Sequence, residues 1–398
     1  MSRALSSRMV LAVAFVAVVA ALASAQSNPP VASSSPDESI QRFHDLVPSI
    51  LRQANLKTGQ TVIISGSTSY LPYIEDLAVQ LAPLGVATIL DIKTDKLERA
   101  RRLGPGQHYG YLPPTALEKE LAKDVDLRFE FPDVSEPGIL GSVSTQQRAL
   151  VQSSLVERRK VAHARRVVFN IPAERDTSET GLTFAELSRY RWAAMQADYG
   201  HISQLGESLR RLLSKGKTVR VTSPEGTDIT FSIAPNGVSV DALPSVTDAG
   251  NTQSARVATI PGGSLSGNII QRSANGKVRV ALDVCDITVH DESIDIKQGL
   301  AENIHAGSDE LCVQRSLTGQ RVSAFVIGLN RALADFRNHT PFATDPGSEG
   351  LVSLFFGGNS DFGGTDYSTS AWYIMLPKAS VSVDGKPILR DGQFVGMK

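Results

Sequence analysis

The chain has 398 residues, of which 41% are hydrophobic and 20% are charged, and its formal net charge is −1. This length is enough for two domains with their own cores, and the composition is that of a globular chain rather than a disordered one. The 40 basic and 41 acidic residues leave no excess of one sign that would indicate nucleic acid or a membrane surface as a partner.

The N-terminus has the pattern of a secretory signal peptide. A basic start precedes an apolar stretch at 9–22, and small residues follow at 23–25. We therefore expect residues 1–25 to be removed before Gln26, so that the mature protein is exported to the periplasm or the extracellular space and keeps no membrane segment. An uncleaved N-terminal anchor is the alternative. Residues 26–37 are rich in Ser and Pro and are expected to form a flexible leader.

Two cysteines are present, Cys285 and Cys312. In an oxidising compartment they could form a disulfide. They could equally remain two buried thiols, each acting as a small hydrophobic side chain. The sequence leaves both possibilities open, because it does not show whether their Cβ atoms meet.

The first half alternates between helical and strand-like segments. Apolar residues recur at helical spacing in 39–54. A turn and a buried strand are predicted within 57–66, a helix at 71–81 and a second strand at 86–92. Strand, helix and strand at this spacing predict a βαβ unit, which requires a parallel sheet.

Further along, the pattern changes near residue 215. Strands are predicted at 127–131 and 165–172, and a capping box at Thr183 opens a helical region that runs to about residue 213 with a weak point near Gly200. Beyond Lys215 the hydrophobic period changes from 3.6 to 2.

We therefore predict an α/β chain with a Rossmann-like α/β domain at 38–215 and a strand-rich α+β domain at 216–398. The second domain contains one predicted helix, at 298–311. Its predicted strands lie at 218–222, 228–233, 278–284, 287–296 and 321–330.

The C-terminal stretch looks like the frame of a site. Strand-like runs at 350–358 and 370–376 flank glycine-rich loops, and a turn at Asp384 and Gly385 opens a last hairpin. Few residues in this stretch could bind a metal or transfer a proton.

Several segments, spread over nearly all of the mature chain, occur in the order and spacing found in a known protein family. No single motif among them is decisive. These segments are 56–68, 199–231, 261–264, 325–330, 345–357 and 383–394. Together they resemble the aminopeptidase T / aminopeptidase S family of metallo-exopeptidases. The resemblance implies an N-terminal α/β domain, a C-terminal domain with a two-metal site, and a homodimer that encloses a cavity. A weaker resemblance extends to ring-cleaving dioxygenases of the dihydroxypyridine type, whose His/His/Asp iron ligands are absent here.

The positions at which the resemblance places metal ligands hold other residue types. The family uses carboxylates, histidines and a tyrosine to bind two divalent metals, and the tyrosine falls near Ser360 or Phe362. The other ligands fall on Ser264, Ala324, Ser353, Tyr373 and Met375. Ala324 and Met375 offer no side-chain oxygen or nitrogen, and the remaining residues are poor neutral ligands.

We therefore expect an exported relative that has lost metal-dependent peptidase activity, has no cofactor, and binds a small molecule or peptide where the ligands stood. Neighbouring residues expected to line this pocket are Trp372, Asp366, Tyr367 and His339. The side chains could instead simply fill the old cavity as core. The alternative function is an active aminopeptidase whose divalent metal, such as zinc, is held by a rearranged set of loop residues such as His339 and Asp366.

Overall fold

In a computed structural model, the chain forms three β-sheets and several helices. No helix among the described residues is long and apolar enough to cross a membrane. The described residues are 36–103, 114–132, 157, 164–177, 182–242, 257–284, 287–305, 319–333, 346–359, 362, 364 and 371–396. The predicted signal peptide, most of the predicted leader and both cysteines lie outside these ranges.

The first sheet is parallel, and its spatial order is β2-β1-β3-β4-β8. Its strands are β1 (Thr61–Ser67), β2 (Ala87–Lys93), β3 (Leu127–Glu130), β4 (Arg165–Phe169) and β8 (Val257–Ile260). The predicted βαβ unit is confirmed, since β1 and β2 run parallel with a helix between them. The last strand, β8, comes from beyond residue 215, so residues from both sides of the predicted boundary contribute to this sheet. The boundary itself stays a prediction.

Six helices of at least two turns occur in the described part of the chain. They are α1 (Pro36–Ala54), α2 (Leu71–Leu81), α3 (Asp95–Leu103), α4 (Ala116–Asp124), α5 (Phe184–Met195) and α6 (Tyr199–Lys215). Helix α1 packs on the first sheet, where the ring of Phe43 lies 5.3 Å from the ring of Phe169 on β4. The predicted capping box is confirmed, because Thr183 and Glu186 exchange hydrogen bonds at the start of α5.

The helical region predicted to run from Thr183 to about residue 213 is two helices, not one. Helix α5 ends at Met195, and the carboxylate of Asp198 caps α6 by accepting a hydrogen bond from His201 N. The break thus precedes Gly200, where the sequence indicated a weak point. Asp is a favoured N-cap, which explains why α6 begins where it does.

The second sheet has eight antiparallel strands in the order β12-β11-β10-β6-β5-β16-β17-β18. Its strands are β5 (Val219–Thr222), β6 (Asp228–Phe231), β10 (Asn275–Val284), β11 (Ile287–Lys297), β12 (Leu300–His305), β16 (Ser380–Val383), β17 (Lys386–Arg390) and β18 (Gln393–Phe394). The predicted turn at Asp384 and Gly385 is confirmed: both residues have positive φ, 48° and 79°, as a tight hairpin turn requires.

The helix predicted at 298–311 is wrong in the part that the structure describes. Residues Leu300–His305 form strand β12, which pairs antiparallel with β11. The reason is the short turn at Gln298 and Gly299, whose φ angles of 49° and 79° fold the chain back as a hairpin before a helix could start.

The third sheet is also antiparallel and has the order β15-β14-β13-β9-β7. Its strands are β7 (Ile233–Asp241), β9 (Ser264–Ile269), β13 (Val322–Gly328), β14 (Val352–Gly357) and β15 (Ala371–Leu376). The strand predicted at 228–233 corresponds to β6 of the second sheet, whereas β7 and β9 were not predicted. Helix α6 packs against β7 and β9.

A buried polar junction holds one end of the third sheet in place. Asn330 is fully buried just after β13, and its Nδ2 donates to the carbonyls of Ala194 (3.1 Å) and Gly262 (2.8 Å). Its Oδ1 accepts from Ala332 N (3.1 Å). The Tyr199 hydroxyl also donates to Ala194 O and accepts from Gly262 N. The junction thereby ties α5, α6, the β8–β9 connection and β13 together.

Candidate functional site

The five positions at which the resemblance places metal ligands lie on four strands of the third sheet. Opposed residues on neighbouring antiparallel strands share a face, and residues two apart along one strand share it as well. The strand register therefore decides which side chains can meet. By this register, all five positions belong to one face.

Three rows of opposed residues make up this face, which we call the polar face. The central row is Met375, Ser353, Val326, Ser266 and Ser239; the row on one side is Tyr373, Phe355, Ala324 and Asn268; the row on the other side is Gly328, Ser264 and Asp241. Ser353 and Met375 are directly opposed, whereas Ser264 lies at the other end of the face, beside Asp241.

The opposite face of the same sheet is apolar. Phe325, Leu354 and Ile374 point into the main hydrophobic core. Gly267, which is opposed to Phe325 on β9, leaves room for that ring, because a Cβ at Gly267 would lie 2.2 Å from Phe325 Cε1. Burial of this apolar face fixes the register, since a slip of one residue would turn the polar face into the core.

Ser353 lies at the centre of the polar face and is fully buried. Its hydroxyl has no hydrogen-bond partner among the described residues. In the same row, the hydroxyls of Ser239 and Ser266 lie 2.8 Å apart and bond to each other. Two serines of this row therefore bond to each other, whereas the third has no partner in the part of the chain that the structure describes.

Asn268 is the second buried polar residue that the fold satisfies only in part. Its Nδ2 donates to the carbonyl of Phe362 (2.8 Å), and its Oδ1 has no partner among the described residues. The ring of Phe362 lies 4.5 Å from that of Phe355. Phe362 thus contacts Asn268 and Phe355, the two neighbours of Ala324 in its row.

Solvent reaches the edge of the polar face at β15. Tyr373 is 45% exposed, and its ring lies 5.6 Å from that of Phe355. Ala324 and Ser353, further in, are fully buried. The face is thus closed over its centre and open along its aromatic edge.

Comparisons with known proteins bear on this fold. No protein-family model matches the chain, and no curated protein matches its sequence. The structure of wild-type AmpT from Thermus thermophilus is 17% identical, with a TM-score of 0.65, and the match covers 89% of this chain and 99% of that one. The structure of 2,5-dihydroxypyridine dioxygenase from Pseudomonas putida is 15% identical, with a TM-score of 0.58, covering 91% of this chain and 98% of that one.

The chain shares its fold with both proteins. At these identities the likeness concerns the fold alone. The predicted class, α/β with a strand-rich part, is confirmed by the match to AmpT and by the three sheets described above.

The polar face does not fit a pair of divalent cations. Asp241 is the one carboxylate in the three rows, and its Oδ1 accepts from Thr259 N (3.1 Å). Nowhere in the described part of the chain do three His, Cys, Asp or Glu side chains come close enough to hold a metal ion. A dinuclear site needs several anionic or imidazole ligands to balance its charge, which hydroxyls, a thioether and a methyl group do not supply.

The remaining pocket residues predicted from the sequence are described only in part. His339, Asp366 and Tyr367 lie outside the described residues. The backbone of Trp372 is opposed to Phe356 in the pairing of β14 with β15. The structure does not describe the side chain of Trp372.

Seven residues of the polar face were not found from the sequence, namely Ser239, Asp241, Ser266, Asn268, Val326, Gly328 and Phe355. A signal for two of them existed. Residues 264–269 read Ser, Leu, Ser, Gly, Asn, Ile, which alternate between polar and apolar or small residues as in a half-buried strand. The many small residues hid this pattern, because strands usually contain β-branched and aromatic residues.

Proposed function

We propose that this protein uses an aminopeptidase-like fold without metal-dependent peptide hydrolysis, and that it binds a small molecule or peptide at the polar face of the third sheet. One observation carries the proposal. The five positions where the similar family has metal ligands share one sheet face, and their side chains are neutral.

The charge of a two-metal centre supports this reading. Two divalent cations bring four positive charges, and transferring charge into a buried site is costly unless opposite charges compensate it. Ala324 and Ser353 are fully buried and carry no charge. Met375 is opposed to Ser353 and adds only a thioether, which is a poor ligand for zinc, manganese or cobalt.

The composition of the face supports binding. Ligand sites are mostly apolar and contain a few polar groups that set orientation. Val326, Phe355 and Phe362 supply the apolar surface, and Ser353 and Asn268 supply the polar groups. The half-exposed Tyr373 offers an aromatic surface at the open edge.

Metal analysis and a peptidase assay test the proposal together. The mature protein would be purified without chelators, measured for bound metals, and assayed on aminoacyl and peptide substrates with added zinc, manganese or cobalt. We expect far less than one equivalent of metal and no release of N-terminal residues. Near-stoichiometric metal together with chelator-sensitive peptide hydrolysis would support instead an active aminopeptidase with a rearranged site that includes residues such as His339 and Asp366.

Export and self-association belong to the same proposal. We propose that the chain is exported and that cleavage leaves Gln26 as the first residue. N-terminal sequencing of protein from the periplasm or the medium tests this, and an intact Met1 would contradict it. We also propose a homodimer, which light scattering on the mature protein tests directly. A monomer at micromolar concentration would contradict it.

A further inference from the structure

Two buried polar atoms on the polar face have no partner among the described residues. They are Ser353 Oγ and Asn268 Oδ1, and both residues are at least 94% buried. Buried polar atoms cost free energy unless they form hydrogen bonds. Both atoms lie on the same face of one sheet, and the fold does satisfy the neighbouring Ser239 and Ser266. The two atoms therefore mark where a bound molecule would complete the hydrogen bonding.

The hydrogen-bonding role of each atom is defined by its surroundings. The carbonyl of Phe362 can only accept, so the Asn268 atom that contacts it at 2.8 Å must be the amide nitrogen. This fixes the orientation of the amide and leaves Oδ1 as a pure acceptor. A molecule at this end must bring an N–H or O–H group. The Ser353 hydroxyl can either donate or accept.

The spacing of the sheet sets the length of such a molecule. Ser353 lies on β14 and Asn268 on β9, with β13 between them and an offset of two residues. Two strand spacings and two residue rises place the Cα atoms about 12 Å apart. Val326 and Ala324 lie between, and Phe362 contacts Asn268 and Phe355 on either side of Ala324. A molecule that reaches both ends therefore lies along Val326 and has an apolar middle.

The charge of the face sets the charge of the molecule. The three rows contain no cationic residue, and their one carboxylate, that of Asp241, accepts a hydrogen bond from Thr259 N. A charged group at Ser353 or Asn268 would lose its hydration without an opposite charge in the three rows to compensate, apart from the already bonded Asp241. An uncharged molecule avoids this cost.

We propose that the polar face binds an uncharged molecule about the size of one substituted ring. Asn268 accepts a hydrogen bond from one end, Ser353 bonds to a hydroxyl, carbonyl or amide group at the other, and Val326 and Phe362 contact the apolar middle. This inference rests on the proposed function and names the chemical class of its ligand.

A matched pair of probes tests the inference on the mature protein. The probe 4-hydroxybenzamide is neutral and has hydrogen-bonding groups at both ends of one ring. Its counterpart, 4-hydroxybenzoate, has the same ring and length but is charged at neutral pH and lacks the amide donor. Titration calorimetry or ligand-observed NMR gives both dissociation constants. We expect the amide to bind at least tenfold more tightly than the carboxylate.

Variants assign the binding to the two atoms. Ser353→Ala and Asn268→Leu should each weaken binding of 4-hydroxybenzamide about tenfold, as expected for one lost hydrogen bond. Ser188→Ala is the control, because Ser188 on α5 is also buried, its hydroxyl likewise has no partner among the residues described, and it lies outside the polar face. It should bind the probe as the parent protein does. Circular dichroism establishes that each variant is folded, and Ser353→Ala keeps the test decisive if Asn268→Leu does not fold.

Several results would overturn the inference: no saturable binding of 4-hydroxybenzamide, equal or tighter binding of 4-hydroxybenzoate, or unchanged binding by Ser353→Ala. A crystal structure in which ordered waters bond both atoms and the probe does not displace them would do the same. These results differ from a failure of the proposed function. Bound metal together with peptide hydrolysis would contradict the proposed function. A metal-free, inactive protein that binds 4-hydroxybenzoate more tightly would contradict only the inferred ligand class.

Discussion

Two buried asparagines of the third sheet region meet different surroundings. Asn330 follows β13, and each of its amide groups bonds to backbone, with Nδ2 bonded to Ala194 and Gly262 and Oδ1 to Ala332. Among the described residues, Asn268 on β9 bonds only through Nδ2, to Phe362. Both side chains are nearly inaccessible to solvent. The same residue type is thus fully satisfied at the end of the sheet and half satisfied on its polar face.

This difference in hydrogen bonding distinguishes a residue that stabilises the fold from one that serves binding. A buried amide with every bond made is typical of a group that specifies structure, because removing it leaves backbone groups unpaired. A buried acceptor without a partner adds cost to the fold, and such groups often occur where a protein binds something. The comparison predicts that Asn330 matters for stability and that the polar atoms of the polar face matter for binding.

The largest expected effect is at the polar junction. Asn330→Ala removes the side-chain partner of three backbone groups, so we expect the free energy of unfolding to fall by about 2–4 kcal/mol. Urea unfolding measures it. Asn268→Ala is the matched control and should cost about 1 kcal/mol, since one hydrogen bond is lost. The comparison breaks down if the two variants lose the same stability.

A second effect concerns how β9 fits the sheet. Gly267→Ala would place a Cβ 2.2 Å from Phe325 Cε1, so the ring must move or the strand must shift. We expect a loss of about 1–3 kcal/mol in the free energy of unfolding. Adding Phe325→Leu should recover part of this loss, because it removes the atom in conflict. If the contact is not the cause, the costs of the two substitutions simply add. The double variant is then less stable than Gly267→Ala by the full cost of Phe325→Leu measured alone.

A smaller effect, of opposite sign, is expected at the centre of the polar face. Ser353→Ala removes a buried hydroxyl without a described partner, so the ligand-free protein should keep its stability or gain up to about 1 kcal/mol. Thermal or urea unfolding measures the change. A loss greater than about 1 kcal/mol would mean that Ser353 has a structural partner, and Asn268 would then stand alone as the unsatisfied group.

The smallest effect is expected at a hydrogen-bonded pair on the surface, where solvent competes for the bond. His44 Nδ1 lies 2.6 Å from Asp76 Oδ1, and this hydrogen bond, followed by the charge of Asp76, raises the pKa of His44 above 6.5. A raised folded-state pKa means that the stabilisation is complete below pH 6.5 and is lost as pH rises through the folded pKa.

Because the His44 side chain is half exposed, solvent screening should hold this contribution below about 1 kcal/mol. Unfolding measured from pH 5.5 to 8.5 tests it, with His44→Gln as the reference. The difference in stability between the parent and His44→Gln should shrink as pH rises. A difference that grows with pH would contradict the assignment.

Much of the first sheet could be predicted from the sequence. Strand β1 is a continuous run of buried residues and is followed by a helix at the expected spacing, so its parallel pairing with β2 follows from the pattern alone. The Thr183 capping box and the turn at Asp384 are equally local signals. Each depends on residues a few positions apart, which a single sequence displays.

The third sheet could be predicted only in part, for two physical reasons. Strand β7 contains Pro235, Asn236 with φ 56°, and Gly237, which read as a turn but are tolerated where the register shifts between Ile233 and Val238. Strand β9 includes the small residues Ser264, Ser266 and Gly267, and at Gly267 the ring of Phe325 fills the space.

The candidate site could not be assembled from the sequence alone. The resemblance pointed to Ser353 and Met375, but their direct opposition depends on the register of β14 and β15. The role of Asn268 depends on where the Phe362 carbonyl lies, which is 94 residues away along the chain. Contacts of this kind are set by packing and not by local pattern.

The position of β8 has a consequence for how the protein is made. The first sheet receives its last strand, Val257–Ile260, only after the chain has passed through β5, β6 and β7 of the other two sheets. During synthesis from the N-terminus, one edge of β4 therefore stays unpaired while nearly ninety residues, from Phe169 to Val257, are added. An unpaired parallel strand edge is prone to wrong pairing. A chaperone that covers this edge until residue 260 is available would prevent such wrong pairing.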